Sequence, residues 1–370
     1  MKVPLCIPFI EEAEKKAVIE VLASGWLAHG PYNKKFEKAF AEYVGVKHAI
    51  TMNSCTSALQ LAIEANEIKG EVILPSFTFV ASANAIIKAG AIPVFADIDE
   101  KTFNIDPADI RKKITKNTNA IMCVHYAGQV CNMTEIMKIA EEYNMIVIED
   151  SAETIGGLWQ NKQAGAFGIG CFSFFPTKNL TTGEGGILTT NDDKLAERVR
   201  ALVGHGITTT TYDRLEKELS WFRSATYAGY NFRMSNILAA LGYYQLQKLD
   251  KMNENRRKIA ERYNKGFSQI ADITIPYQDV NAYHVYQMYV ICVKDKNKRN
   301  NFVKILNEKG VGASVHFYPP VHLQYFYKDK YKCSLPITED ICSRCVTLPI
   351  YPQMTDAEIE YVIKIVKESI

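Results

Sequence analysis

Lys178 has neighbours that could turn a lysine into a nucleophile. It closes the apolar run Cys171-Phe172-Ser173-Phe174-Phe175-Pro176-Thr177 and is followed at once by Asn179-Leu180-Thr181-Thr182-Gly183-Glu184-Gly185-Gly186. The run reads as a buried strand and the polar, glycine-rich tail as a turn, so the lysine falls at a strand end. An amine there loses part of its hydration, which lowers its pKa and frees it to form an imine with an aldehyde. Upstream, Met145-Ile146-Val147-Ile148 stops on Glu149-Asp150. A lysine and a carboxylate at strand ends of one sheet are the two groups pyridoxal phosphate (PLP) needs. The lysine holds the aldehyde carbon, and the carboxylate keeps the pyridine nitrogen protonated so that the ring accepts electrons. Most lysines are solvated charges and most strand-terminal aspartates cap the next turn. Only several such features occurring together therefore mark a site.

Five further features belong to that set. Asn53-Ser54-Cys55-Thr56-Ser57-Ala58-Leu59 follows one strand and opens a helix. First-turn amides with the Thr56 and Ser57 hydroxyls would seat a phosphate, and simple N-capping explains the same residues. Ser173 alternates with Phe172 and Phe174, which turns its hydroxyl towards that phosphate or onto nearby backbone. Phe79, in Pro75-Ser76-Phe77-Thr78-Phe79, sits where an aromatic ring can lie on a pyridine or join the core. Glu153, three residues after Asp150, reaches the same pocket if a turn starts there and is otherwise a solvated charge. Asn231, in Gly229-Tyr230-Asn231-Phe232-Arg233-Met234, is either a helix cap or a phosphate ligand.

The elements that must position these groups follow from periodicity. Short β-branched runs at 48–52, 72–74, 92–96, 120–124, 145–148, 171–174 and 186–189 alternate with helical patterns at 57–68, 80–89, 107–114 and 134–143. That alternation predicts an α/β fold with a mostly parallel seven-stranded sheet, in which ligands collect at the carboxyl ends of the strands. The last two strands have no helix between them. Two amphipathic helices, 11–23 and 33–43, precede the sheet. A helix at 194–203, a threonine-rich loop at 208–212 and one long helix at 235–263 follow it. A strand at 285–292 and helices at 302–309 and 356–367 suggest a smaller α+β unit. The expected division is a large PLP-binding domain over 1–250, N-terminal helices included, and a small domain over 251–370.

Composition excludes other classes. The 43 basic and 41 acidic residues leave a net charge of +2, so neither nucleic acid nor an anionic membrane is indicated. The apolar stretches are of strand length, short of the roughly 20 residues that span a bilayer, and no signal peptide is read at Met1-Lys2-Val3-Pro4-Leu5. The nine cysteines include the single C-x-x-C of Cys342 and Cys345, whose spacing suits core packing. No metal site is expected, and the odd count points to reduced thiols in the cytoplasm.

Taken together the residues resemble the DegT/DnrJ/EryC1/StrS family of PLP-dependent aminotransferases, over nearly the whole chain. The markers are Gly25-Trp26-Leu27 with Gly30-Pro31, Pro75 to Phe79, Glu149 to Glu153, Phe172-Ser173-Phe174 with Lys178, Thr181 to Gly186, Gly229 to Met234, and Tyr318-Pro319-Pro320-Val321-His322-Leu323. The resemblance implies a type I (aspartate) aminotransferase fold. Lys178 would form the imine and Asp150 bond the pyridine nitrogen. Thr56, Ser57 and Ser173 would hold the phosphate, and Phe79 would stack on the ring. Glu153 would lie on the substrate side. Asn231 would reach the neighbouring subunit's phosphate, so a homodimer with shared active sites is implied. His316 and His322 are candidates for approaching the substrate, with neither assigned. Cys55 stands where many members have glycine. Glu153 stands where others have glutamine or histidine, which points to a nucleotide-linked 4-keto-6-deoxy sugar as acceptor; the expected amino donor is glutamate. A small, phosphorylated keto compound and a non-catalytic PLP-binding regulator are the competing readings.

Overall fold

The computed structural model describes residues 1–208, 221 and 223–370. The central sheet contains β1 (His48–Met52), β2 (Glu71–Pro75), β3 (Ile92–Ala96), β4 (Thr118–Val124), β5 (Ile146–Asp150), β6 (Ile169–Ser173) and β7 (Gly186–Thr190). Their spatial order is β1-β7-β6-β5-β4-β2-β3. Only β7 is reversed, pairing antiparallel with β1 and β6, while the remaining pairs are parallel. The mostly parallel α/β sheet is therefore present. Its one reversal falls where the β6–β7 connection carries no crossover helix. β5 runs on to Asp150, which makes the carboxylate the last residue of its strand, and β6 stops at Ser173.

Around the sheet lie α1 (Glu12–Ser24), α2 (Pro31–Val44), α3 (Cys55–Glu64), α4 (Ala81–Lys88), α5 (Pro107–Lys113), α6 (Met133–Glu142) and α7 (Asp193–Val203). Strand alternation sends Val72, Leu74, Met122 and Ile148 into one core with Leu59, Ile86 and Val199. It sends Ile73, Ile121 and Val147 to the opposite face with Ile110, Ile136 and Ile139. Phe36 and Phe40 of α2 close the β6–β7 end, with the Phe40 and Phe172 ring centroids 5.0 Å apart. α3 begins at Cys55 rather than 57, because the Ser54 side chain caps it by accepting the Ser57 amide at 3.1 Å.

The long helix expected at 235–263 is two helices, α8 (Asn236–Gln247) and α9 (Leu249–Phe267), broken at Lys248 with φ −112° and ψ 6°. The Lys248 ammonium pairs with Glu14 and with Glu11 at 3.2 Å, and lies 4.4 Å from the Phe9 ring centroid. The break lets α8 pack on α1 and α2 while α9 turns into a second core. That core gathers β8 (Ile273–Thr274), β9 (Tyr289–Val293), α10 (Arg299–Glu308), β10 (Cys345–Leu348) and α12 (Asp356–Ser369). Val3 belongs to it as well, exchanging backbone hydrogen bonds of 2.8 Å with Gly310 and Gly312.

The strand expected at 285–292 begins only at Tyr289. His284 Nδ1 accepts the Tyr286 amide at 2.9 Å and Tyr286 has φ 43°, which bends 284–288 into a strap. α11 (Pro336–Arg344) and β10 were not anticipated from periodicity. Cys342 and Cys345 lie at their junction as buried free thiols. Of the threonine-rich loop only Thr208 is described; 209–212 lie outside the described residues. Among the described residues no helix is long and apolar enough to cross a membrane.

Candidate active site

A cavity of about 460 Å³ opens at the carboxyl ends of the parallel strands. Asp150 and Ser173 reach it as the final residues of β5 and β6, and Lys178 from the turn after β6. Thr56 lines it from the first turn of α3, Phe79 from the loop before α4, and Glu153 from the turn after Asp150. Six of the eight residues singled out by spacing thus converge on one space. Ser57 and Asn231 do not line it. The Ser57 hydroxyl donates to Asn53 Oδ1 at 2.7 Å, and Asn231 is exposed, accepting from Arg233 Nε at 3.0 Å. Of the two histidines, His316 lines the cavity, with Nδ1 2.9 Å from Thr347 Oγ1. His322 is buried elsewhere, between Ser76 and Glu339.

Asp150 is 5% exposed, and burial pushes its carboxyl upward. Two hydrogen bonds oppose that push by favouring the anion: the Ser82 hydroxyl donates to Oδ2 at 2.7 Å and the Ala152 amide to Oδ1 at 3.2 Å. Lys178 Nζ lies 3.3 Å from Glu153 Oε1, and Glu153 Oε2 accepts the Ala127 amide at 2.9 Å. The residues on either side of the lysine are clamped, Thr177 by its backbone and Asn179 by its side chain. Gln287 Nε2 donates to the Thr177 carbonyl at 2.9 Å, and Asn179 Nδ2 to Asn253 Oδ1 at 2.6 Å. Spacing missed Ser82, Ala127 and Gln287. A hydroxyl on the apolar face of α4 was the only available signal for Ser82, and nothing marked the other two.

The cavity fits PLP on three counts. The N-terminus of α3 presents amides without intrahelical acceptors, suited to a phosphate. Gly186 lets β7 pass directly against that turn, since a Cβ there would stand 2.4 Å from the Cys55 nitrogen. A buried carboxylate and an amine face the same space, as an aldehyde-bearing pyridinium requires.

Among the described residues one His/Cys cluster occurs, Cys123, His125 and Cys131, whose ligand atoms lie within 4.8 Å of one another. Its chain spacing matches no zinc pattern, so it was not foreseen. Both imidazole nitrogens are already engaged, Nδ1 by the Cys131 amide at 3.1 Å and Nε2 by Glu149 at 3.0 Å.

Comparison with known proteins agrees with this geometry. The DegT/DnrJ/EryC1/StrS aminotransferase family matches residues 8–367. The chain is 40% identical to the spore coat polysaccharide biosynthesis protein SpsC of Bacillus subtilis, over 99% of this chain and 96% of that one. It is 37% identical to a GDP-perosamine synthase of Caulobacter vibrioides, over 98% and 96%. Spr1654 from Streptococcus pneumoniae, solved in a PLP-form, superposes with a TM-score of 0.91 at 27% identity, each chain covered to 100%. A lysine and a buried carboxylate on one cavity, in a chain matched almost end to end, lead to one conclusion: this chain belongs to the DegT/DnrJ/EryC1/StrS aminotransferase family and is a PLP-dependent aminotransferase.

Proposed function

We propose that the cavity around Lys178 moves the amino group of glutamate to a keto sugar, most specifically a nucleotide-linked 4-keto-6-deoxy sugar. The reading is carried by the convergence of Asp150 and Lys178 on one cavity, and the likeness to a GDP-perosamine synthase supports the acceptor. When bound, PLP supplies an electron sink and the carbon that carries the amino group between donor and acceptor. Lys178 Nζ would hold the cofactor, and its free amine would serve as the base that takes the proton from the donor α-carbon and as the acid that returns it. The Asp150 carboxylate would accept the pyridinium N–H and keep that nitrogen charged. Thr56, Ser173 and the first turn of α3 hold the phosphate. Ser57 joins them only by releasing Asn53. Phe79 would lie on the ring face, and Glu153, beside Lys178, would stand on the substrate side. The keto acceptor then enters and the steps reverse.

Asn231, exposed and outside the cavity around Lys178, accepts from Arg233, which lines a second, larger groove of about 1070 Å³ with Trp26 and Arg200. This supports a homodimer in which Asn231 serves the neighbouring subunit's phosphate. The type I aminotransferase fold, the division near residue 250 and work in the cytoplasm complete the proposal. The test is a spectrum. The visible band of the holoenzyme should vanish with glutamate and return with a nucleotide-linked 4-keto sugar. Return only with small keto phosphates would overturn the acceptor, and no response to any amino donor would overturn the whole reading.

A further inference from the structure

The turn of residues 125–131 contains no residue of the cavity's expected set, yet it supplies the amide that holds Glu153. We infer that His125 is a positioning residue whose ring closes this turn and so aims the Glu153 carboxylate at Lys178. The inference rests on the proposed role of Lys178.

His125 is fully buried at the end of β4. Its Nδ1 accepts the Cys131 amide at 3.1 Å, which ties the two ends of the turn together and leaves the proton on Nε2. Nε2 donates to Glu149 Oε2 at 3.0 Å. Glu149 is itself held by backbone, accepting the amides of Gly165 and Phe167 at 2.8 Å and of Gly168 at 2.7 Å. Four donors on two oxygens require an ionised carboxylate, so the ring is anchored to a fixed acceptor. Strand alternation places Glu149 and Asp150 on opposite faces of β5. One carboxylate therefore holds the ring, and the other enters the cavity.

The backbone of His125 is tied just as closely to the site. Its amide donates to the Asp150 carbonyl at 3.1 Å, and the Thr154 hydroxyl donates to its carbonyl at 2.6 Å. Two residues on, Ala127 has φ 55°, a conformation that non-glycine residues hold only when the surroundings impose it. That conformation presents the Ala127 amide to Glu153 Oε2 at 2.9 Å, and the other Glu153 oxygen meets Lys178 at 3.3 Å. The groups facing His125 are Glu149, Cys123 and Cys131. Those around Glu153 are Lys178, Asp150, His316 and Tyr126 of the turn itself.

The experiment compares His125→Leu, which removes both ring contacts, with His125→Gln, whose amide can still donate to Glu149. In the His125→Leu holoenzyme kcat should fall by on the order of tenfold to a hundredfold, with KM for glutamate changed by less than about threefold. The visible band should titrate at lower pH, because a carboxylate released from beside a protonated nitrogen no longer favours its charged form. Hydrogen exchange of the Ala127 amide should quicken by about tenfold or more. His125→Gln should recover part of each change. A His125→Leu protein with a lower Tm but unchanged kcat, band titration and Ala127 exchange would overturn the inference and leave Lys178's role standing. Should His125→Leu fail to fold, Thr154→Val loosens the same turn from its other side. It is expected to shift the band in the same direction, and an unshifted band would overturn the inference equally.

Discussion

Asp150 shows what a single residue's surroundings decide. Burial alone would leave its carboxyl protonated more readily than in water, while the Ser82 hydroxyl and Ala152 amide favour the anion that a pyridinium partner needs. Asp150→Asn keeps the shape and removes the charge. Its turnover should fall by about a hundredfold or more with folding intact, the scale of removing a preorganised electrostatic contact. Near-normal kcat in a steady-state assay would remove the carboxylate from the mechanism. Lys178, Asp150 and Glu153 were legible in the sequence because strand ends mark themselves by a change from apolar to polar residues. Ser82 and Ala127 were not. One is a hydroxyl among small residues, and the other acts through its backbone, which side-chain identity does not encode.

At the scale of elements, the strap of 284–288 joins the second core to the site. The Val285 amide donates to the Gly128 carbonyl at 3.0 Å, and the Val285 carbonyl accepts Asn179 Nδ2 at 3.3 Å, one residue beyond Lys178. His284 shapes the strap and is held neutral. Burial, with Arg257 adding to it, lowers its pKa to about 3. The unfolded chain takes up that proton near pH 6.5, so unfolding is favoured as pH falls from about 6.5 towards 3 and unaffected above that window. His284→Asn can still accept the Tyr286 amide and cannot charge. Between pH 7 and 5 its Tm should fall less steeply than that of the parent protein. Parallel Tm profiles would show that His284 contributes nothing to acid sensitivity. Alternation foretold the central strands to within a residue or two, because each buries two faces. It missed the strap and the break at Lys248, both set by long-range contacts: one ring nitrogen on one amide, and an ammonium between Glu11, Glu14 and Phe9. Such contacts have no period to read.

For the whole molecule, the near balance of charge and the full-length likeness to SpsC and a GDP-perosamine synthase suit a metabolic enzyme. Which subunit completes which site is a separate matter. If the proposed homodimer forms and Asn231 serves its neighbour, a Lys178→Ala chain and an Asn231→Ala chain are each inactive alone, while their hybrid dimer carries one complete site. Refolding an equal mixture should restore up to about a quarter of the parent activity, since half the dimers are hybrids and each has one working site of two. No gain on mixing, with hybrids verified by mass, would place Asn231 in its own subunit's site or outside catalysis. The seven-stranded sheet could be anticipated from the chain. The packing of Val3 into a core otherwise built from residues beyond 250 could not, because two short backbone hydrogen bonds fix it.

The most direct measurement is chemical. Borohydride reduction of the holoenzyme, followed by digestion and tandem mass spectrometry, traps whichever amine holds the cofactor aldehyde. A single pyridoxyl adduct on Lys178, absent after preincubation with glutamate, is the expected result. An adduct on any other lysine, with Lys178 recovered unmodified, would contradict the assignment of this cavity as the site of amino transfer.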